Sequence, residues 1–114
     1  MSSDNDAVPA ERRYRIARYR VPKASRGEFA AAVLKMEDVL KSLEGFVRAW
    51  SLEQEAEPDV TSVITIAEWD SIASMRNATL KINTMNQEKG VDPQQNLRRL
   101  GITMEQWAYR TLVV

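Results

Sequence analysis

The chain contains neither cysteine nor histidine among its 114 residues, and these two absences exclude several kinds of site. Without cysteine it can form no disulfide, no thiolate metal site and no thiol nucleophile. Without histidine it can build no Ser-His-Asp triad, no imidazole proton shuttle and no proximal haem ligand. Any metal would need carboxylate ligands, and no run of Asp and Glu has the spacing of a calcium loop. We therefore expect neither a metal nor a cofactor held by the chain's own side chains.

Glycine clusters, long apolar runs and an excess of one charge are also missing. The four glycines stand alone at positions 27, 45, 90 and 101, so the chain has no glycine-rich phosphate loop. Lys plus Arg number 16, as do Asp plus Glu, so no net field favours nucleic acid or an acidic surface. The longest apolar run, Phe29 to Leu34, is far shorter than the roughly 20 residues of a membrane span.

The N-terminal stretch MSSDNDAVPAERR is polar and lacks the apolar block of a secretory signal. It predicts a disordered tail over residues 1–12, followed by a single domain over residues 13–114. A chain without cysteine suits a reducing compartment, so we expect a cytoplasmic protein.

The first half of the domain predicts a strand followed by an amphipathic helix. RYRIARYRV (residues 13–21) alternates like a strand and stops at Pro22. Ser25 and Glu28 then have the spacing of a capping box, and Gly45 stands where a left-handed helix end is expected. Between them, apolar residues recur every three or four positions: Phe29, Ala32, Val33, Met36, Val39, Leu40 and Leu43.

Two further strands are predicted as a hairpin around the turn AEPD. The first, residues 46–55, alternates and places Phe46, Trp50 and Leu52 on one face. The second, residues 60–69, is rich in β-branched residues and ends at Trp69.

The spacing of apolar residues changes from every second position to every third or fourth directly after Trp69, and this change predicts a second helix. Asp70 or Ser71 supplies its cap, and its apolar stripe consists of Ile72, Met75, Ala78 or Thr79, and Ile82. Asp92, Pro93 and Gly101 delimit a short extra helix, because aspartate caps a helix start, proline suits its first turn and glycine its end. Residues 105–114 alternate again and predict a fourth strand.

The resulting order, β-α-β-β-α-β, is that of a ferredoxin-like α+β fold, with a four-stranded antiparallel sheet and helices on one face. Several strands are nevertheless apolar on both faces. In the third strand, Ile64 and Ile66 lie on one face and Val63 and Ala67 lie on the other. In the last strand, Trp107 and Ala108 lie on opposite faces. A sheet that is apolar on both sides needs a second cover, so we predict a homodimer through the open face.

The segments VPKASRGEFAAAV, LEGFVRAWSL and IAEWDSIASM resemble the antibiotic biosynthesis monooxygenase (ABM) domain of the dimeric α+β barrel superfamily. The similarity covers roughly residues 13–83. That family shows a first strand ending in proline, a helix with an early phenylalanine, a Gly-Phe opening strand two and Glu-Trp-x-Ser after strand three. It includes cofactor-independent oxygenases of aromatic polyketides, haem-degrading oxygenases, small isomerases and members without known activity.

The resemblance implies site residues that match this chain only in part. Trp69 stands at the strand-end tryptophan of the oxygenases. Thr65 replaces an asparagine of the polyketide oxygenases, and Met75 replaces a tyrosine. Haem-degrading members need a histidine about where Thr79 stands, which excludes that branch.

Trp69 has two compatible interpretations, a packing residue between strand and helix or the wall of a pocket that offers its indole N–H. Substrate contacts are predicted at Thr65, Met75, Asn77, Trp50 and Trp107. The two tryptophans could join Tyr19 and Tyr109 in an aromatic cage between sheet and helices. Large aromatics on a sheet face serve equally as core or dimer contact.

Five arginines in ERRYRIARYR could suggest nucleic acid, but acidic residues of the hairpin at 53, 55, 57 and 59 can balance them. We expect a small apolar or aromatic ligand and no binding to nucleic acid or membrane. The resemblance implies a cofactor-independent monooxygenase acting on a small aromatic or polyketide-like substrate. A non-catalytic barrel that binds a ligand or a protein, and an isomerase or cyclase, remain alternatives.

Overall fold

The computed structural model describes residues 9–113, and within them the ferredoxin-like fold is confirmed. The four strands form one antiparallel sheet in the order β2-β3-β1-β4. The elements in chain order are β1 (Arg13–Pro22), a 3-10 turn (Lys23–Ser25), α1 (Arg26–Lys41), β2 (Phe46–Glu57), β3 (Val60–Trp69), α2 (Ile72–Lys89), α3 (Pro93–Leu100) and β4 (Thr103–Arg110).

Residues 1–8 of the predicted tail lie outside the described residues. Arg12, the last residue of that tail, donates to the Glu68 carboxylate at 3.1 Å. The last strand also differs from the sequence prediction, because it begins two residues earlier, at Thr103, and ends at Arg110. Within residues 9–113, no helix combines the length and apolar character that a membrane span requires.

Side chains cap α2 and α3 as the sequence predicts, but no side chain caps α1. The Ser71 hydroxyl accepts from the Ser74 backbone N–H at 3.1 Å, and Asp92 accepts from two backbone N–H groups of α3. The capping box of α1 is wrong, because the Ser25 hydroxyl donates to the Leu100 carbonyl at 2.7 Å and so ties α1 to α3.

Gly45 does not cap α1, which ends four residues earlier at Lys41. Its backbone is left-handed, with φ of 82°, and its carbonyl accepts from the Asp70 N–H at 2.8 Å. A Cβ atom at this position would lie 2.1 Å from Ser74 Oγ and 2.3 Å from Ser74 Cβ. Gly45 therefore brings the start of β2 against the start of α2, where no side chain fits.

A β-bulge at Val47 changes the faces of β2. Phe46 pairs with Trp69 and Arg48 pairs with Glu68, so Val47 is the extra residue between them. The prediction that Phe46 shares a face with Trp50 and Leu52 is wrong for this reason. Phe46 lies on the helix side of the sheet, and the other two lie on the open side.

The core on the helix side consists of two separate clusters. The Val21 cluster contains Val21, Phe29, Val63 and Ile102, with Tyr19 and residues of α1 and α3 packed around it. The Trp69 cluster contains Trp69, Met75 and Ala78, with Leu40, Leu43, Phe46, Ala67 and Ile72 packed around it. The two clusters lie at opposite ends of the sheet because Trp69 and Val21 fall near opposite ends of the paired strands β3 and β1.

An apolar row crosses the open face of the sheet. Trp50 pairs with Ile66, Ile66 with Ile16, and Ile16 with Trp107, so one residue of each strand stands in line. No helix of the described residues covers this face, and Trp107 and the neighbouring Tyr109 are 39% and 50% exposed.

The acidic residues near the hairpin turn form ion pairs with a basic residue of β1 and with two basic residues that follow β1. Glu53 accepts two hydrogen bonds of 2.7 Å from the Arg26 guanidinium, and Lys23 donates to Glu55 at 2.6 Å. Arg20 donates to Glu57 and is the single arginine of ERRYRIARYR that pairs, among residues 9–113, with one of the acidic residues at 53, 55, 57 and 59.

We predict that Gly45→Ala destabilises the fold more than Gly90→Ala does. Both glycines are left-handed, so an L side chain costs about 1–2 kcal/mol at either position. Only Gly45 faces a clash, and rotation of the Ser74 hydroxyl cannot move Ser74 Cβ away. Urea unfolding should show Gly45→Ala losing at least about 1 kcal/mol more than Gly90→Ala. Equal losses would contradict the close approach at Gly45.

The contacts of Glu53 predict a loss of stability in acid. Hydrogen bonds from Arg26 and Thr61 lower the pKa of Glu53 from its ordinary 4.5 to about 2. The folded state therefore favours the carboxylate, and this contribution, complete above pH 4.5, is lost as the pH falls toward about 2. Glu53→Gln should flatten the pH dependence of the unfolding free energy in this window. Glu88→Gln, an exposed change on α2 without an ion pair among residues 9–113, should leave the wild-type slope.

Candidate functional site

Trp69 fills the junction between the end of β3 and the start of α2. Alternation along β3 turns its indole toward the helices, where Met75 and Ala78 of α2 cover it and leave 2% exposed. The Phe46 ring meets it edge to face, with centroids 5.6 Å apart. Burial of so large a ring makes Trp69 a packing residue of its cluster.

The indole N–H of Trp69 is available in addition to this packing role. It has no hydrogen-bond partner among residues 9–113. A buried tryptophan usually finds a partner for its N–H, and here a ligand at the edge of the cluster could supply it.

Small side chains separate the two core clusters on the helix side of the sheet. Ala49, Ala67, Arg15 and Ala108 form one row across the four strands, and Ser51, Thr65, Ala17 and Gln106 form the next. We call these eight residues the floor. Ala67 and Thr65 are half-buried, whereas Ser51, Gln106 and Ala108 are exposed at the two edges. Ala17 in the middle is only 4% exposed, so the helices cover the centre of the floor. A cleft of about 330 Å³ opens at the β2 edge, where Ala49, Phe46 and Lys41 line it. We call the space between the floor and the helices the groove.

Tyr19 stands at the boundary of the floor and the Val21 cluster. Its ring lies 4.8 Å from the Phe29 ring, measured between centroids. Burial raises the pKa of the Tyr19 phenol above its ordinary 10.0, and a side-chain hydrogen bond with Thr65 offsets part of that rise. The phenol is therefore neutral at physiological pH and acts as a hydrogen-bond donor or acceptor, not as a base.

Asn77 lies beside a surface cleft on the outer side of the Trp69 cluster. The cleft has a volume of about 240 Å³ and shares Leu43 and Ala78 with that cluster. This volume is below the roughly 300 Å³ of typical ligand pockets. Asn77 itself is exposed, so it does not face the floor.

Trp50 and Trp107 lie on the open face, opposite Trp69, Thr65 and Met75. The Arg48 guanidinium stacks over the Trp50 ring at 4.7 Å from its centroid. The predicted aromatic cage is wrong, because Tyr19 faces the helices whereas Trp50, Trp107 and Tyr109 face away from them. The structure thus brings three of the predicted site residues to one side of the sheet.

Arg15 on the floor is a candidate site residue that the sequence interpretation missed. The alternation of β1 contains the signal, since Arg15 has the parity of Ala17 and Tyr19, which lie on the helix side of the sheet. Its guanidinium is half-buried, and among residues 9–113 it has no acidic partner. Within the same range, no three acidic side chains are grouped to hold a metal ion.

No protein-family model and no curated protein matches this sequence. Solved structures do match it. The chain is similar to SnoaB, a cofactor-independent oxygenase from Streptomyces nogalater, at 19% identity over 92% of this chain and 97% of that one, with a TM-score of 0.69. A dimeric ferredoxin-like protein from an uncultured marine organism has 15% identity and a TM-score of 0.65, over 90% of this chain and 97% of its own.

A candidate antibiotic biosynthesis monooxygenase from Deinococcus radiodurans is similar at 12% identity over 90% of this chain and 94% of that one, with a TM-score of 0.62. The predicted resemblance is thereby confirmed at the level of the fold. At these identities the comparisons assign no reaction and no substrate.

Proposed function

We propose that the chain is a cofactor-independent monooxygenase that oxidises a small electron-rich aromatic compound in the groove over the floor. The observation that carries this proposal is the split core, with a groove floored by small residues and Trp69 at its end. Similarity of fold to a described cofactor-independent oxygenase supports the reaction class.

The proposed reaction needs only the substrate and dioxygen. A phenol loses its hydroxyl proton to water, and the resulting anion transfers an electron to dioxygen. Recombination of the two radicals forms a carbon–oxygen bond, and the oxygen–oxygen bond then breaks as water leaves. One phenol and one dioxygen give one quinone and one water, so the substrate supplies all four electrons.

The protein's part is to hold the anion away from water and to stabilise its oxygen. The Trp69 indole, the Arg15 guanidinium and the hydroxyls of Thr65 and Tyr19 are the donors on this side of the sheet. A single donor aimed at developing negative charge contributes about 3 kcal/mol, roughly a hundredfold in rate. Because these donors lie on strands, they are held more rigidly than loop residues would be.

Binding without turnover is the rival function, and one observation favours it. The floor contains no carboxylate that could serve as a base. The Tyr19 phenol cannot serve as one at neutral pH either, because its pKa is raised. The proposed oxygenase therefore requires a substrate acidic enough to ionise unaided. An isomerase or cyclase would meet the same lack of a base.

We further propose that two copies pair through their open faces. The row from Trp50 to Trp107 is apolar across four strands, and no helix of the described residues covers it. The dimeric ferredoxin-like neighbour supports this arrangement. We retain the expectations of a cytoplasmic protein and of no binding to nucleic acid or membrane.

Oxygen uptake with α-naphthol, measured in mildly alkaline buffer where the naphthol ionises unaided, tests the proposed reaction. We expect one dioxygen consumed per α-naphthoquinone formed, and no oxygen returned by catalase, because the second oxygen atom leaves as water and not as peroxide. Trp69→Phe should lower kcat about a hundredfold, because it removes the donor and keeps most of the bulk. Its Tm should fall by only a few degrees. An unchanged kcat in the variant would show that Trp69 has only a packing role. Thermal stabilisation by naphthol without oxygen uptake would favour the rival function, binding without turnover.

Sedimentation at micromolar concentration tests the dimer. The wild-type particle should have twice the 13.0 kDa mass of the chain. Trp107→Lys should shift it toward the single-chain mass, because a desolvated charge in the apolar row is costly. Leu80→Lys, at a 64% exposed position of α2, is the matched control and should remain dimeric. A 13 kDa wild-type particle would refute the dimer.

A further inference from the structure

We infer that the groove selects aromatic substrates that carry a carboxylate, which Arg15 and Arg110 bind beside Trp69. This inference rests on the proposed function, since it concerns the substrate of the same groove. Its basis is a group of three arginines on the helix side of the sheet, at the end where β1 and β4 meet.

The register of the sheet places these arginines next to one another. Arg13 is directly opposite Arg110 on β4 and directly opposite Trp69 on β3. Arg15 follows two residues later on the same face, in the row of the floor that otherwise contains only alanine. The three arginines and Trp69 therefore share one end of the sheet, on the helix side.

Among residues 9–113, no strand residue forms an ion pair on the helix side of the sheet at this end. Arg26, Lys23 and Arg20 pair with hairpin glutamates at the opposite end of the sheet. Arg12 and Arg48 pair with Glu68, which is on the open face.

The three arginines of the group have no such pairing among residues 9–113. Arg13 donates to the carbonyls of residues 10, 11 and 12, so its charge is solvated but not neutralised. Like charges directly opposite each other on adjacent strands destabilise a sheet, as Arg13 and Arg110 are here. An anion bound between Arg15 and Arg110 would relieve this repulsion.

A carboxylate attached to an aromatic ring suits the geometry best. The planar guanidinium of arginine donates two parallel hydrogen bonds to a carboxylate. The alanines on either side of Arg15 leave room for a flat ring on the floor. The half-buried position of Arg15 strengthens the attraction, because screening by solvent is weaker there.

Anaerobic titration calorimetry with a matched pair of probes tests the inference. The probes are α-naphthol and its 3-carboxylate, whose acid group is meta to the hydroxyl and too far away to hydrogen-bond with it, and exclusion of oxygen prevents turnover. We expect the carboxylate to bind at least about tenfold more tightly. Arg15→Gln and Arg110→Gln should each remove about tenfold of that affinity, and Arg110→Gln should leave naphthol binding unchanged. Arg98→Gln, an exposed change on α3, is the control and should affect neither probe.

Three further measurements make the result decisive. Arg15→Lys keeps the charge but loses the two-pronged geometry, so it should restore only part of the affinity. Equal binding of both probes by the wild type would overturn the inference, as would displacement of the carboxylate by an equal concentration of inorganic phosphate. In air, oxygen uptake that does not favour the acid would overturn this inference and leave the oxygenase proposal standing. Tight binding of the acid without oxygen uptake would overturn the oxygenase proposal and leave this inference standing.

Discussion

The alternation of side chains between the two faces of one antiparallel sheet is the constraint on which the rest of this structure depends. Because the helices lie on a single side, each residue's parity decides whether it meets the core or the open face. Glu68 and Trp69 are adjacent in sequence, yet one joins an ion-pair network with Arg12 and Arg48 and the other is packed under α2. A one-residue slip would exchange these environments and bury an unpaired carboxylate in the core.

The split core follows from the residues that occupy this alternation. Large side chains on the helix side are concentrated near Val21 and near Trp69, and alanine, serine and threonine occupy the middle. A continuous core would bury more apolar surface and stabilise the domain further. The site that we propose in the groove therefore costs stability, which is a common relation between function and packing.

Most of the architecture could be predicted from the sequence because periodicity is a local property. The four strands, the stripe of Met75 and Ala78, and the cap at Asp92 follow from spacing and residue type alone. The errors concern features set by tertiary contacts. The bulge at Val47 reverses the face of Phe46, and the Ser25 hydroxyl prefers a carbonyl of α3 to its own helix. The site was less predictable. The aromatic cage requires residues on one face of the sheet, and alternation within each strand does not show which faces of different strands lie on the same side.

Charge gives the clearest case in which a property of the whole chain conceals a local one. The balance of 16 basic and 16 acidic residues implies no net field. The sheet nevertheless sorts these charges along its length, with Glu53, Glu55 and Glu57 near the hairpin turn and Arg13, Arg15 and Arg110 at the other end. Solvent screens exposed charges beyond about 8–10 Å, so the distant glutamates neutralise little of the field beside Trp69. A small anion in the groove would experience the local arginines and not the neutral average, and for that reason a neutral composition does not exclude a charged ligand.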